Sequence, residues 1–121
     1  MTIPIKLIMI LATVESGQNP SAVGDNLKSL GILQMQEAYV QDAAEYANKP
    51  WVHEDALDEL TAIKIFRAYM ERYATEARLG RPVTFEDIAR IHNGGPNGYK
   101  KKSTIIYWEK VRCLMTKQKY L

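Results

Sequence analysis

The sequence predicts a single α+β domain, mainly α, with about five helices and one small antiparallel β-hairpin. Three observations predict it. Most of the chain falls into segments with apolar residues at helical spacing or with helix start and stop residues. The stretch 18–35 has turn chemistry and short apolar runs instead. At 121 residues, 46% hydrophobic and 25% charged, the chain is long enough and balanced enough to bury one core.

The elements follow in order. Pro4 suits a first helical turn, where a missing N–H costs nothing, and Gly17 suits the position just past a helix end. The run between them, Ile5 through Val14, is apolar nearly all round, which predicts a central, buried helix. Gln18-Asn19-Pro20-Ser21 and Gly24-Asp25-Asn26 are turns. Ala22-Val23 and Ile32-Leu33-Gln34-Met35 are then the candidate strands of the hairpin. A helix is expected over about 37–47, broken by Asn48-Lys49-Pro50. The longest helix should begin near Glu54 or Asp55, with acids in its first turn as the dipole prefers. Ala56, Leu60, Ile63, Phe66, Met70 and Ala77 mark its apolar stripe, and Leu79-Gly80-Arg81-Pro82 ends it. Thr84 with Asp87 three residues on forms a capping box with the shorter acid, opening a helix over 85–92. Asn93-Gly94-Gly95-Pro96-Asn97-Gly98 reads as a tight loop, and a last helix runs over about 104–117. No repeat, low-complexity tract or linker interrupts the chain, so residues 1–121 form one domain.

Charge and cysteine content narrow the function classes. The net charge is +2, but residues 100–119 carry seven basic side chains against Glu109 alone, leaving the remainder at −4. A basic end suits an anionic polymer such as a bacterial envelope or nucleic acid; it is equally the signature of a solvated helix face. Cys113 is the only cysteine, which excludes an intramolecular disulfide and a Cys-based zinc cluster. Its helical setting, Val111-Arg112-Cys113-Leu114-Met115, predicts a packed core thiol. The N-terminal apolar run is too short to span a membrane, and no small-x-small cleavage site follows it, so no export address is expected.

Two carboxylates carry the chemistry. Glu15 ends the apolar helix, with Ala12, Leu11 and Ile8 on its face, near the negative end of the helix dipole. Desolvation and dipole both favour its protonated form, the state a general acid needs; a terminal glutamate reaching solvent is the plainer reading. Asp25, between Gly24 and Asn26 in a polar turn, should stay hydrated and ionised. It suits stabilisation of an oxocarbenium-like transition state, nucleophilic attack or activation of water, or else it is an ordinary turn aspartate. One carboxyl in an apolar wall and one in a wet turn is the pairing glycosidases use.

Here the motifs become specific. Val14-Glu15-Ser16-Gly17, Asp25, Ser29-Leu30-Gly31 and Gln34-Met35-Gln36 are similar to the catalytic region of invertebrate-type (i-type) lysozymes, the group that includes destabilase. The similarity continues through Tyr39, Asp42 and Ala68-Tyr69-Met70-Glu71-Arg72-Tyr73. It is strongest in Ala89-Arg90-Ile91-His92-Asn93-Gly94-Gly95-Pro96-Asn97-Gly98, followed by Tyr107-Trp108 and Val111. A glutamate-serine pair with a glycine-glutamine pattern alone would also fit lytic transglycosylases and goose-type lysozymes; the His-Asn-Gly-Gly-Pro-Asn-Gly segment favours the i-type group.

The resemblance implies a lysozyme-like fold, with the hairpin beside an active-site cleft. It implies a muramidase that hydrolyses the β-1,4 bond between N-acetylmuramic acid and N-acetylglucosamine. Glu15 then matches the general acid and Asp25 the second carboxylate, while Ser29, Gln34, Tyr39, His92 and Asn93 match positions beside the substrate groove. The residues also admit plainer roles: a dipole-complementing His92, a helix-terminating Asn93, a hairpin-bracing Gln34, and packing for Trp51, Tyr107 and Trp108. No metal or organic cofactor is expected, and the expected partner is the peptidoglycan glycan strand, met by a monomer without membrane insertion or nucleic acid. The chain departs from the family pattern at Gln18 and Tyr99, where members often have cysteine, and its Glu15–Asp25 spacing is slightly short. Scarce cysteine fits synthesis in a reducing cytoplasm and action on the bacterial wall, as for a phage lysin or an exported remodelling enzyme. No Ser-His-Asp or Cys-His pattern supports the isopeptidase activity ascribed to some members. The alternatives are a lytic transglycosylase using Glu15 alone, a non-catalytic glycan-binding or structural protein and, more distantly, a nucleic-acid binder resting on the basic C-terminal helix.

Overall fold

The first helix, α1 (Ile5–Ser16), starts and stops where its terminal residues dictate. Pro4 caps it with φ −65°, and Gly17 closes it at φ 65°, returning its N–H to the Thr13 carbonyl at 3.0 Å. Leu7, Ile8, Ile10, Leu11 and Ala12 are all buried, so α1 is the central helix its composition predicts. This computed structural model describes residues 2–119.

The hairpin is real but sits in a different register. β1 (Val23–Gly24) pairs antiparallel with β2 (Ser29–Leu30), Val23 opposite Leu30 and Gly24 opposite Ser29. Of the expected second strand, 32–34 are instead a turn, and Met35 alone forms an antiparallel bridge, to Leu30. Leu30 and Met35 exchange both backbone hydrogen bonds (3.0 and 2.9 Å) around Gly31 at φ 84° and Gln34 at φ 50°. A four-residue apolar run carries no period that separates a strand from a plug, and here Ile32 and Leu33 plug the core. Gly31 is obligatory on two counts, its positive φ and the Ala56 carbonyl oxygen that any Cβ would overlap.

α2 (Glu37–Ala47) forms as expected and ends at Asn48 in the left-handed region, φ 54°. The single long helix expected from Glu54 or Asp55 to Leu79 is three pieces. A 3₁₀ turn covers His53–Leu57; α3 spans Glu59–Tyr73; α4 spans Glu76–Leu79. Asp58 stops the turn and caps α3, accepting from the Thr61 N–H at 3.0 Å, and Thr75 caps α4 in the same way. Each restart rotates the helix phase. The buried stripe of α3 is therefore Ala62, Ile65, Phe66, Tyr69 and Met70, while Leu60 is 70% exposed and Ala77 faces outward.

α5 (Phe85–Gly94) opens on the expected Thr84/Asp87 capping box but runs two residues past the expected end. Arg81 adds a bidentate clamp on Asp87, both bonds 2.7 Å. Burial opposes ionisation of Asp87, yet the Arg81 bonds, the Thr84 backbone and hydroxyl bonds and the Arg81 charge outweigh it and hold its pKa below the ordinary carboxylate value. Two short 3₁₀ turns lead into α6 (Ile105–Lys117), so the described residues hold six α-helices.

α3 packs on α2 and α5, and α6 packs on α1 and α5. α6 buries Tyr107, Val111 and Met115, one residue every four. Cys113 lies two positions from Val111, off that stripe, so it is exposed and not the core thiol its neighbours suggest. The basic side chains of residues 100–119 are all exposed as well. Among the described residues no helix is long and apolar enough to cross a membrane.

Candidate active site

Five elements converge on a cleft of about 550 Å³: the end of α1, the hairpin, the first turns of α2, Tyr69 of α3, and the end of α5 with the loop after it. All seven site residues expected from the sequence line this cleft: Glu15, Asp25, Ser29, Gln34, Tyr39, His92 and Asn93. Residues from Glu15 to Asn93 meet because α1 and α5 both end there.

Glu15 sits in the last turn of α1, its side chain 18% accessible. Behind it lies His92, whose ring is almost fully buried. His92 Nε2 is 3.0 Å from the Leu33 carbonyl and 3.3 Å from Glu15 Oε2, while Nδ1 is 2.8 Å from the Tyr39 hydroxyl. Two acceptors at Nε2 require a proton there, so in the neutral ring Nδ1 accepts from Tyr39. Burial, then the Tyr69 and Glu15 charges, push the Tyr39 hydroxyl well above its usual pKa, which keeps it a donor. Tyr39 is further fixed by stacking on Tyr69, with ring centres 3.7 Å apart and planes 8° from parallel. His92 and Tyr39 therefore form the wall behind the acid, with little surface of their own.

Asp25 stands opposite in character. It is exposed, in the left-handed region at φ 51°, within the hairpin turn. Ser29, buried on β2, donates to Asp25 Oδ2 at 2.6 Å and fixes the carboxylate. Gln34 spends its amide nitrogen on the Gly31 and Ala22 carbonyls (2.9 and 3.2 Å), bracing the loop from inside the cleft wall. Asn93 is exposed on the rim and still helical; the chain leaves the helix at Gly95, φ 88°.

The cleft also contains Gln36, Asp42 and Tyr69, which the sequence marks only as parts of a longer motif. Asp42 accepts from the Tyr73 hydroxyl at 3.1 Å, and its charge, after burial, raises the Tyr69 pKa. Tyr107, expected to serve only packing, lies against Glu15: burial first, then the Glu15 charge, hold its hydroxyl proton on. The family resemblance includes Tyr107, but its place on a buried helical stripe gives no sign that it faces Glu15. Among the described residues no cluster of three or more His, Cys, Asp or Glu side chains is arranged to hold a metal ion.

A family model described as Destabilase matches residues 6–113. The chain belongs to the destabilase family. It is 38% identical over 114 residues to a lysozyme of Magallana gigas, covering 91% of this chain and 79% of that protein. To an invertebrate-type lysozyme of Ruditapes philippinarum it is 35% identical over 107 residues, covering 86% and 76%. The fold agrees with solved members of the same group. Meretrix lusoria lysozyme, in its complex with Aeromonas hydrophila PliI, superposes with a TM-score of 0.78 at 30% identity, covering 93% of this chain and 90% of that one. Tapes japonica lysozyme gives 0.74 at 29%, covering 90% and 88%. The destabilase match includes every residue of the cleft described above.

Proposed function

We propose that this cleft is where the chain, a glycoside hydrolase of the destabilase family, hydrolyses the β-1,4 bond between N-acetylmuramic acid and N-acetylglucosamine, with Glu15 as general acid and Asp25 as second carboxylate. One observation carries the assignment of roles: a recessed carboxyl at the end of an apolar helix and an exposed, serine-bound carboxylate share one cleft. Glu15 protonates the departing glycosidic oxygen. Asp25 then supports the positive charge that develops on the sugar ring, or accepts the ring covalently. Ser29 keeps Asp25 from swinging away as that charge forms. The exposed amides of Gln36 and Asn93 suit the hydroxyl and acetamido groups of a neutral sugar chain. The target is the glycan strand of the bacterial wall, met by one copy of the chain, and the sole cysteine is in keeping with synthesis in a reducing compartment.

The test is product analysis on purified peptidoglycan with wild type, Glu15→Gln and Asp25→Asn side by side. A hydrolase releases fragments with reducing muramic acid ends; a lytic transglycosylase using Glu15 alone would leave anhydro ends and tolerate Asp25→Asn. The expected loss is about 10²- to 10⁴-fold for Glu15→Gln, the range that general acid catalysis supplies, and about 10²-fold for Asp25→Asn. Wild-type clearance of walls by Glu15→Gln would overturn the assignment. Binding of walls by the wild type without soluble fragments would instead make the chain a non-catalytic glycan binder.

A further inference from the structure

Among the described residues, one buried side-chain polar atom has no hydrogen-bond partner, the hydroxyl of Tyr107. Buried polar groups are paired almost without exception, because an unpaired one forfeits its bond to water and gains nothing in return. Phenylalanine would fill the same space without that cost. The position of the hydroxyl gives it a use. Tyr107 opens the buried stripe of α6 that continues through Val111 and Met115, and α6 packs directly on α1, whose last turn carries Glu15.

We propose that Tyr107 is a positioning residue for Glu15, donating its buried hydroxyl to the carboxylate that forms when the acid gives up its proton. This rests on the reading of Glu15 as the general acid. The donor is always available, because burial and the neighbouring Glu15 charge keep the phenol protonated. Glu15 is the neighbour it faces: the hydroxyl approaches that carboxyl closely enough to feel it as a hydrogen-bond partner, although no formed bond joins the two.

Its companion on α5 is built to the same logic. The His92 Nε2–H is shared between the Leu33 carbonyl at 3.0 Å and Glu15 at the longer 3.3 Å. A protonated carboxyl draws weakly on either donor; an ionised one draws strongly on both. The stabilisation therefore grows as the proton leaves, which is the condition for an interaction to speed a reaction instead of merely tightening the resting state. No lysine or arginine is among the described residues lining the cleft.

The experiment compares cleavage of a soluble peptidoglycan fragment across pH by wild type, Tyr107→Phe and Glu15→Gln. Tyr107→Phe should fold with equal or higher thermal stability, since it removes only an unpaired hydroxyl. Its kcat should fall about tenfold while KM changes less than about twofold. The alkaline limb of its pH profile should move up, because the carboxylate has lost a donor. Site-specific 3-fluorotyrosine at 107, a stronger donor of nearly the same shape, should move that limb down. Wild-type kcat and an unmoved limb in both variants would overturn the proposal and leave Tyr107 a packing residue. Activity retained by Glu15→Gln would overturn the proposal together with the reading of the acid, and so is distinguishable from failure at Tyr107 alone.

Discussion

His92 should be worth more to stability than its position in a catalytic cleft suggests. Replacing it with Phe keeps the ring volume and the contacts with Phe66 and Tyr39, whose centres lie 5.3 and 5.2 Å away. It removes both ring nitrogens. The Tyr39 hydroxyl loses its 2.8 Å acceptor and the Leu33 carbonyl its 3.0 Å donor, and both are in buried surroundings. Each orphaned group costs roughly 1–3 kcal/mol, so His92→Phe should lose about 3 kcal/mol, or on the order of 10 °C in Tm for a domain of this size. Tyr39→Phe alone strands only Nδ1 and should lose about 1–2 kcal/mol. The double variant strands only Leu33, so it should be more stable than His92→Phe by about 1 kcal/mol, although it carries one more substitution. Urea denaturation of the three variants and wild type measures this cycle. Strict additivity, or a His92→Phe loss under about 0.5 kcal/mol, would refute the shared hydrogen-bond chain.

Two further outcomes test the scaffold. Asp87→Asn breaks the Thr84 cap and the Arg81 clamp; since Arg81 is half exposed, the loss should be about 2 kcal/mol by urea melts at neutral pH. The folded-state pKa of Asp87 is depressed, so this contribution is complete above the unfolded value near 4 and disappears as pH falls through the folded value. The gap between wild type and Asp87→Asn should accordingly close below about pH 4. Gly31→Ala meets both a positive φ and the Ala56 backbone, and should cost about 3 kcal/mol or more, whereas Gly80→Ala, at φ 77° in open space, should cost only about 1 kcal/mol; thermal melts compare them.

What the sequence revealed follows from which interactions are local. The bounds of α1, the start of α5 and the extent of α2 depend on residues within one turn, Pro4 and Gly17, Thr84 and Asp87, Asn48, and all were readable. The split of the 54–79 region was not, although its agent is local. Asp58 looks like one more acid in a helical first turn until its side chain is seen capping the Thr61 N–H. Ile32 and Leu33 have no period to declare whether they extend or plug, and only the assembled core decides. The apolar neighbours of Cys113 say nothing about helix phase; the stripe Tyr107–Val111–Met115 does, and it points Cys113 outward. At the site, the seven motif residues were legible because a family pattern marks them. Tyr107 belongs to the same pattern, yet its bearing on Glu15 is not legible, because a buried tyrosine facing a carboxyl and one facing only core are the same letter.

The hairpin that carries Asp25 must hold its place with no disulfide to tie it, and the structure shows what does so. Its two strands are only two residues each, far too short to be stable alone. Ser16, beside Glu15, donates to the Ile32 carbonyl at 2.8 Å and accepts from the Asn19 N–H, tying the end of α1 to both sides of the hairpin. His53 Nε2 meets the Met35 carbonyl at 2.8 Å from the next layer, and Gln34 braces the loop from within. Gln18, at a position where the family resemblance leads one to expect cysteine, bonds Thr13 Oγ1 at 2.9 Å and so fastens the chain just beyond α1. Single hydrogen bonds of this kind are each worth only about 1 kcal/mol, so the hairpin is fixed by several that share the same few residues, with Ile32 and Leu33 as its anchor in the core. The separation of the two carboxylates is therefore set largely through Ser16, one residue from the proposed acid. Ser16→Ala should loosen Asp25 relative to Glu15, lowering kcat about tenfold with a stability loss of about 1–2 kcal/mol, too small to unfold the domain. Hydrogen exchange confined to residues 23–35, alongside a kcat measurement, checks it. Unchanged exchange there, with kcat at the wild-type level, would mean that the core plug alone holds the hairpin.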